Sequence, residues 1–337
     1  MLDYPTLNKY DSEKIFQIYD RWAIIAKESY HSDLTPIDFE SIDHIVFAGM
    51  GGSGAIGDLF ASILSKSNIH VNVVKGYLLP KTVDENTLVV TISISGNSIE
   101  TLTVLDSALK LNSKIMGFSS GGKMKSFCTK NNIPFREIRE FHSPRASFIS
   151  FIFSILKVLN SIIPLEKSDI EESLSELEKM SEKISSSNLN DTNPALELAN
   201  SISGIPIIYY PWGLESTAIR FKNSLQENTK IHASIENIIE TCHNGIVAWE
   251  QKSATVPILI QGEDDHIKTK ERWNIFKEFF KEKNIEYKEI FSIKGNILSK
   301  LVCLIYFLDF VSIYKAVMSN IDPSPIEPIN FIKERLK

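Results

Sequence analysis

The chain has 337 residues, of which 43% are hydrophobic and 23% charged, and its formal net charge is −6. These values are typical of a soluble globular protein, and the length favours two domains. The negative charge argues against nucleic-acid binding, which needs an excess of Lys and Arg. The three cysteines, Cys128, Cys242 and Cys303, have no paired spacing. The sequence therefore predicts neither disulfides nor a four-cysteine zinc site, and it favours a reducing, cytoplasmic setting.

Two segments bear on export and membrane insertion. The first residues, MLDYPTLNKYDSEK, lack the basic start and apolar core of a signal peptide, so we expect no export. Residues 301–318 are the most apolar stretch, but Asp309 and Lys315 interrupt them. Charges in the middle of a span are costly in lipid, so we predict a buried helix here and no membrane partner.

The first half of the chain alternates between short apolar runs and helix-length segments. An amphipathic helix is expected over residues 11–29, and helices also over residues 55–65, 98–111 and 147–159. The predicted strands are residues 44–48, 71–74, 88–92, 114–118 and 134–138. Strands alternating with helices indicate right-handed crossovers and a mostly parallel sheet that is covered on both faces.

The second half repeats this pattern after an acidic helix, residues 168–184, and a polar linker, SSSNLNDTNP. Strands are predicted at residues 206–210, 257–261 and 286–293, and helices at 216–226, 269–281 and 299–318. Three prolines then precede a short helix over 330–337. We thus expect an N-terminal helical segment (1–40), two α/β domains (41–160 and 195–320) joined by a helical connection and linker (161–194), and a C-terminal turn and helix (321–337).

A glycine loop follows the first predicted strand, in VFAGMGGSGAIGDLF. It matches the dinucleotide fingerprint G-x-G-x-x-G, in which glycines let a phosphate approach the amides at a helix start. A dinucleotide site also needs an acidic residue at the end of the second strand, where this chain has Lys75. The loop therefore favours a phosphate ligand, and a cofactor with a 2′-phosphate stays as the minor alternative.

A second loop, in LVVTISISGNSIET, also joins a strand to a helix. Ser93, Ser95 and Ser98 can offer hydroxyls to an anion, while the amides after Gly96 point at it from the helix start. The alternative is that these serines only cap the helix. Three hydroxyls around one glycine are more than a cap needs, so we predict a monophosphate site.

Together, GMGGSG and SISGNSIET resemble the sugar isomerase (SIS) domain, a doubly wound module that binds phosphosugars. The resemblance implies two SIS-type domains, each with a mostly parallel five-stranded sheet flanked by helices. It also implies that Ser93, Ser95 and Ser98 hold the phosphate, and that Gly51, Gly52 and Ser53 lie against the sugar.

Further segments resemble the bifunctional phosphoglucose/phosphomannose isomerase family. SPRASF carries Arg145, which by this resemblance stabilises the negative charge of an enediolate. RFKNSLQENTK carries Glu227, which the resemblance makes the base that moves a proton between C2 and C1. Gln226 replaces the usual Asn of this motif.

The segment IIETCHNGIVAWE is similar to the family's H-N-E-I-V-G-W, with Gly245 in place of Glu and Ala248 in place of Gly. His243 then matches a histidine that helps to open the sugar ring and that the partner subunit contributes, which implies a homodimer. The ending DFVSIYKAVMSNIDPSPIEPINFIKERLK is also similar, and it makes Lys333 a proton donor to the ring oxygen.

The implied activity is an aldose-ketose isomerisation of hexose 6-phosphates, between glucose 6-phosphate and fructose 6-phosphate and also between mannose 6-phosphate and fructose 6-phosphate. It needs no cofactor and no metal. The acidic loop around His266 has no ligand spacing, so we expect no metal site there. The alternative from another class is a non-catalytic regulator that binds phosphosugars.

Overall fold

The computed structural model describes residues 2–336. The chain divides into two compact units. The N-terminal unit contains Arg21–Glu178 and Gly295–Val302. The C-terminal unit contains the described residues 2–20, 179–294 and 303–336.

A five-stranded parallel sheet forms the centre of the N-terminal unit. Its strands are β1 His44–Ala48, β2 His70–Val74, β3 Thr87–Ile92, β4 Lys114–Ser119 and β5 Phe135–Glu137. The strand order is β2-β1-β3-β4-β5, and every pairing is parallel. The five predicted strands are therefore confirmed, each within a few residues of its expected bounds.

Helices cover this sheet. The N-terminal unit holds α3 Trp22–Tyr30, α4 Gly52–Leu64, α5 Ile99–Leu109, α6 Gly122–Lys130 and α7 Phe148–Val158. Val46 and Val89 pack with Leu105 and Met124 in one hydrophobic cluster. All residues of β1 and β3 are buried, as is usual for strands of a parallel sheet that carries helices on both faces.

The C-terminal unit is built around a second parallel sheet, with the order β7-β6-β8-β9. Its strands are β6 Ile205–Tyr210, β7 Ser234–Asn237, β8 Thr255–Gln261 and β9 Lys288–Phe291. Its helices are α1 Tyr4–Tyr10, α2 Ile15–Asp20, α9 Pro194–Ser201, α10 Glu215–Ser224, α11 Ile238–Thr241, α12 Ile267–Glu282 and α14 Glu327–Arg335. Helices α8 Lys167–Ile184 and α13 Ile297–Met318 enter it from Lys179 and Cys303 onward.

The expectation of a fifth strand in the second sheet is wrong. Among the described residues this sheet has four strands, because β9 is followed almost at once by α13 and then by the C-terminal turn. The sequence pattern does not predict strand β7. It reads SIEN and lies at the sheet edge with no fully buried residue, so it lacks the apolar signature of a central strand.

Helix α13 is the apolar segment that hydropathy singles out. It alone among the described helices is long and apolar enough to cross a membrane, and 89% of its most apolar window is buried within the protein. Asp309 lies within it and is fully buried with a partner, Arg220, at 2.6 Å. The prediction of a buried core helix is thus confirmed.

Two predicted helices differ clearly from the observed ones. The amphipathic segment at residues 11–29 forms α2 and α3, which are interrupted at Arg21. The C-terminal helix begins earlier than expected, at Glu327, because Pro328 fits the first turn of a helix. Its predicted last residue, Lys337, lies outside the described residues.

Trp22 offers a test of the N-terminal unit. Its indole is fully buried, stacks on Phe148 and donates from Nε1 to the carbonyl of Ala146 at 2.9 Å. Trp22→Phe should lower the free energy of unfolding by about 2 to 4 kcal/mol, since the smaller phenyl ring leaves a void in the core and a buried acceptor loses its donor. Urea unfolding measures this. Ile24→Ala, on the same helix and 52% exposed, is the control and should stay within about 0.5 kcal/mol of wild type; equal losses would contradict the prediction.

Candidate active site

The two loops singled out in the sequence follow adjacent strands of the first sheet. The order β2-β1-β3-β4-β5 reverses direction between β1 and β3. The glycine loop follows β1 and the serine loop follows β3. In open parallel sheets ligands bind beyond the carboxyl ends of the strands at this switch point, so the topology brings both loops to the expected ligand position.

The glycine loop packs its backbone closely against the serine loop. Gly51 has φ of 53°, a conformation that favours glycine. A Cβ at Gly49 would stand 2.9 Å from the carbonyl oxygen of Ile92. The hydroxyl of Ser53 accepts a hydrogen bond from the amide of Ile94 at 3.2 Å. Ser53 is therefore a link between the two loops, and it is buried.

The serine loop is a tight turn with its hydroxyls at different depths. Ser93 is fully buried and donates from Oγ to Ser98 Oγ at 3.2 Å, while Ser95 is exposed. Ser98 is the N-cap residue of α5, yet its side chain makes no capping hydrogen bond in the described structure. Because helix capping does not occupy this hydroxyl, the capping alternative loses its main support.

A third loop, which the sequence analysis did not single out, supports the serine loop. Gly121 and Gly122 follow β4 with φ of 136° and 65°. A Cβ on Gly96, whose φ is 69°, would collide with the carbonyl of Gly121. Asn97 Oδ1 accepts from the amide of Lys123 at 3.1 Å. In the sequence, the available signal for this loop was the pair of adjacent glycines directly after the predicted strand.

Arg145 lies in the turn before α7 and is 4% exposed. A Cβ added to Gly52 would be 3.7 Å from the Cα of Arg145. The PRA turn and the glycine loop are therefore neighbours in the N-terminal unit. A guanidinium that is shielded from water in this way acts on nearby charge more strongly than an exposed one.

Lys75 follows β2, where a dinucleotide fold would carry an acidic residue. Its Nζ lies 2.6 Å from Asp58 Oδ2, and its side chain passes within 3.3 Å of the position that a Cβ on Gly54 would take. The residue is therefore engaged in an ion pair with the helix that follows the glycine loop. This arrangement gives no support to the dinucleotide alternative.

In the C-terminal unit, Glu227 lies on an irregular turn. Helix α10 continues as a π-helix, Leu225–Thr229, which ends at Lys230 with φ of 60°. Wide turns of this kind occur frequently at functional sites. Glu227 is partly exposed, between the buried Leu225 and Asn228. The sequence could not predict the π-turn, because its composition is that of an ordinary helix.

Lys230 connects this turn to the C-terminal segment. Its Nζ donates to the carbonyl of Glu227 and to those of Pro323 and Pro325, at 2.5, 3.2 and 2.8 Å. Pro325 lies just before α14, which carries Lys333. Lys333 itself is exposed. The turn with Glu227 and the segment that leads to Lys333 are thus tied together within one unit.

His243 lies in the turn after α11 and is exposed. Nearby, a Cβ on Gly245 would collide with Glu236, whose Oε2 accepts from Thr241 Oγ1 at 2.9 Å. The carboxylate of Glu236 therefore fills the space that a side chain at position 245 would need. Val247, two residues further on, is 62% exposed.

His266 and Cys128 have structural roles. His266 Nδ1 accepts from the amide of Lys268 at 3.2 Å and caps α12, and the described residues contain no group of three or more metal-ligating side chains. Cys128 is buried in the first core, and burial raises the pKa of its thiol to about 11. A thiol that stays protonated near neutral pH is a poor nucleophile.

Comparison with known proteins agrees with this architecture. Residues 38–133 match the model of the SIS domain. Residues 191–336 match the model described as the bacterial phospho-glucose isomerase C-terminal SIS domain. The first match covers strands β1 to β4 of the first sheet, and the second covers all four strands of the second sheet.

Curated relatives identify the family more narrowly. A bifunctional phosphoglucose/phosphomannose isomerase from Caldicellulosiruptor bescii is 33% identical over 308 residues, covering 88% of this chain and 90% of the relative. The chain belongs to the bifunctional phosphoglucose/phosphomannose isomerase family. The family's enzyme from Aquifex aeolicus is 31% identical, with 94% of both chains covered. Membership of this family makes the chain a sugar-phosphate isomerase by class.

Solved structures support the fold alone. The C-terminal domain of glucosamine-fructose-6-phosphate aminotransferase from Francisella tularensis superposes with a TM-score of 0.65 at 17% identity. It covers 91% of this chain and 96% of the other. The prediction of two SIS-type α/β domains is confirmed.

Gly96 tests the contact between the serine loop and the loop after β4. Gly96→Ala places a Cβ against the carbonyl of Gly121 at a positive φ, so it should cost more than about 2 kcal/mol of unfolding free energy. Thermal unfolding measures the loss. Gly76→Ala is the control, since nothing lies within 4 Å of its Cβ position, and it should melt like the wild type. Equal melting of both variants would contradict the close approach.

Proposed function

We propose that this protein interconverts glucose 6-phosphate and fructose 6-phosphate, and mannose 6-phosphate and fructose 6-phosphate. The relatives from Caldicellulosiruptor bescii and Aquifex aeolicus are named bifunctional phosphoglucose/phosphomannose isomerases, which supports these two reactions for this chain. The observation that carries the proposal for this chain is Glu227, a partly exposed carboxylate on a π-turn in the C-terminal unit.

The serine loop holds the phosphate in this proposal. Ser93, Ser95 and Ser98 surround Gly96, and the amides of the first turn of α5 have no partner within the helix, as at every helix start. Such amides and hydroxyls together suit a dianionic phosphate. Gly51 and Gly52 let the sugar approach the backbone, while Ser53 holds the glycine loop against the serine loop.

Glu227 moves the proton. In the direction from aldose to ketose, the carboxylate takes the proton from C2, and the electron pair forms the C1–C2 double bond while the C1 carbonyl pair moves onto O1, which is protonated to give a cis-enediol. The protonated Glu227 then returns its proton to C1 as the hydroxyl at C2 loses its proton and becomes a carbonyl, so that one proton moves overall from C2 to C1 and one from O2 to O1. C2 is oxidised and C1 reduced, so the redox change is internal to the sugar and the proposal needs neither a cofactor nor a metal. One base serves both carbons because they lie on the same face of the cis-enediol.

Arg145 stabilises the negative charge that develops on the enediolate oxygens. Its burial and its position beside Gly52 support this role. A fixed positive charge in a site shielded from water lowers the energy of the transition state more than it lowers that of the neutral substrate. Acceptance of both C2 epimers requires rotation about the C2–C3 bond, so that the C2 proton of either epimer reaches Glu227.

Ring opening is assigned to His243 and Lys333. An imidazole exchanges protons readily near neutral pH, and a lysine ammonium donates to the ring oxygen. His243 is proposed to act across a homodimer interface. Its exposure and that of Val247 support the presence of a partner surface there. A cytoplasmic location is expected from the cysteine content.

The rival function is a non-catalytic phosphosugar regulator. It predicts phosphosugar binding without turnover and places no demand on Glu227, His243 or Lys333. All three residues are present here, which favours the enzyme.

Glu227→Gln decides between these functions. It keeps the shape of the side chain and removes the base, so kcat with either fructose 6-phosphate or mannose 6-phosphate should fall at least about a hundredfold. A coupled assay on the purified protein measures both reactions. Glu278→Gln, an exposed glutamate on α12, is the control and should keep full activity. Binding of sugar phosphate by a wild-type protein that turns over neither substrate would favour the regulator.

Mixing two inactive variants tests the shared site. If His243 acts on the partner's substrate, a heterodimer of Glu227→Gln with His243→Ala contains one intact site. Random exchange of subunits should then restore about a quarter of the wild-type activity. If both residues act within one chain, every site in the mixture lacks a group and no activity returns. Analytical ultracentrifugation on each variant checks that dimers form.

A further inference from the structure

A buried polar network underlies the π-turn that carries Glu227. Arg220 on α10 and Asp309 on α13 form an ion pair, with side chains 3% and 0% exposed. Nη2 and Nε of Arg220 donate to Asp309 Oδ2 at 2.6 and 3.1 Å. Ser224 Oγ donates to Asp309 Oδ1 at 2.5 Å. Both carboxylate oxygens of Asp309 are therefore engaged by α10.

The same residue also supports the far side of the π-turn. Asn228 Nδ2 donates to Ser312 Oγ at 2.8 Å, and Ser312 Oγ donates to the carbonyl of Asp309 at 2.7 Å. Asn228 is fully buried, and its Oδ1 is one of the few buried side-chain acceptors in the described structure without a hydrogen-bond partner. Such a group costs stability, so Asn228 is better explained by the position that it holds than by stability.

The spacing explains why a π-turn is needed. Arg220, Ser224 and Asn228 are four residues apart and all bond to the same stretch of α13. In a regular α-helix each step of four overshoots one turn by about 40°. A π-turn takes more residues per turn, which offsets this drift and returns Asn228 to the line of Arg220. Glu227, one position earlier, then lies off this line and stays partly exposed.

A buried ion pair is in general a weak source of stability, because it can often be replaced by apolar side chains without loss. Arg220 also interacts electrostatically with Glu227. Burial works to lower the pKa of Arg220, but the negative charge of Asp309, followed by Tyr19 and Glu227, raises it above its usual range. Arg220 therefore stays charged, and Asp309 balances that charge.

We propose that Asp309 is a positioning residue for the isomerisation. Through Arg220 and Ser224 on one side and Ser312 on the other, it fixes the π-turn that presents Glu227. By neutralising Arg220, it also sets the charge that Glu227 meets. This inference rests on the proposed role of Glu227 as the base.

The charged and titratable groups of this region set the expected pH dependence. Two groups on other helices face Arg220: Asp309 of α13 and Tyr19 of α2. The hydroxyl of Tyr19 accepts from Nη2 of Arg220 at 3.2 Å. Lys230 contacts the carbonyl of Glu227. If the charge of Asp309 is removed, Arg220 is no longer balanced, and the ionised form of Glu227 is favoured. The acid limb of the pH profile, where the base becomes protonated, then moves to lower pH.

The test compares the pH profiles of kcat and kcat/KM with fructose 6-phosphate. Asp309→Asn should move the acid limb down by about one pH unit. It should also lower kcat on the plateau about tenfold, because the base is weaker and less well placed. KM should change little, since the phosphate loops are untouched. The phosphate of the substrate titrates equally in all variants, so only the difference between them counts.

A matched control separates this role from a loss of packing. Tyr314→Phe, on the same helix, removes a buried hydrogen bond to the carbonyl of Ile184. It should lower thermal stability and leave the acid limb unchanged. If Asp309→Asn fails to fold, the double variant Arg220→Met with Asp309→Leu removes both charges and keeps an apolar fill. Without the guanidinium near Glu227, its acid limb should move to higher pH.

An acid limb that stays at the wild-type pH in the variants that fold would overturn the inference. Glu227→Gln, measured in the same assay, separates this failure from that of the proposed function. If Glu227→Gln is inactive and the limb does not move, only the role of Asp309 fails. If Glu227→Gln remains active, Glu227 is not the base and both proposals fail.

Discussion

A parallel sheet sends the carboxyl ends of all its strands to one edge, and the placement of loops in both units depends on this constraint. In the N-terminal unit it brings the glycine loop after β1, the serine loop after β3 and the paired glycines after β4 to the same edge. Residues that are far apart in the chain become neighbours because their strands are neighbours. The same rule positions the loop between β6 and α10 in the C-terminal unit.

The close approach of these loops also explains their composition. Gly96 and Gly121 have positive φ and touch through their backbones, so any side chain at Gly96 would separate the two loops. Ser53 joins the glycine loop to the end of β3 through the amide of Ile94. Ser53, a candidate for ligand binding in the sequence, therefore also holds the two loops together. The structural role is compatible with the expected binding role, because the hydrogen bond from a backbone amide fixes the position of the hydroxyl.

In the C-terminal unit, a buried ion pair holds the candidate site in place. Arg220 and Asp309 join α10 to α13 below the π-turn, and Lys230 joins that turn to the C-terminal segment. Hydrophobic packing alone would leave the turn free to relax into a regular helix. Directional hydrogen bonds to a charged group are strong and geometrically specific, which suits a turn whose proposed task depends on the direction of the Glu227 side chain.

The sequence by itself determined the α/β class, the five strands of the first sheet and the buried nature of α13, because apolar runs and their periodicity are signals that neighbouring residues carry. It also determined the motifs that assign the chain to its family. Only the tertiary structure revealed β7, the four-stranded second sheet, the loop at Gly121 and the π-turn at Glu227. An edge strand such as SIEN has no apolar pattern, and a π-turn depends on bonds to residues more than eighty positions away in the chain, such as Ser312 and Asp309. Contacts of that range leave no periodic trace in a single sequence.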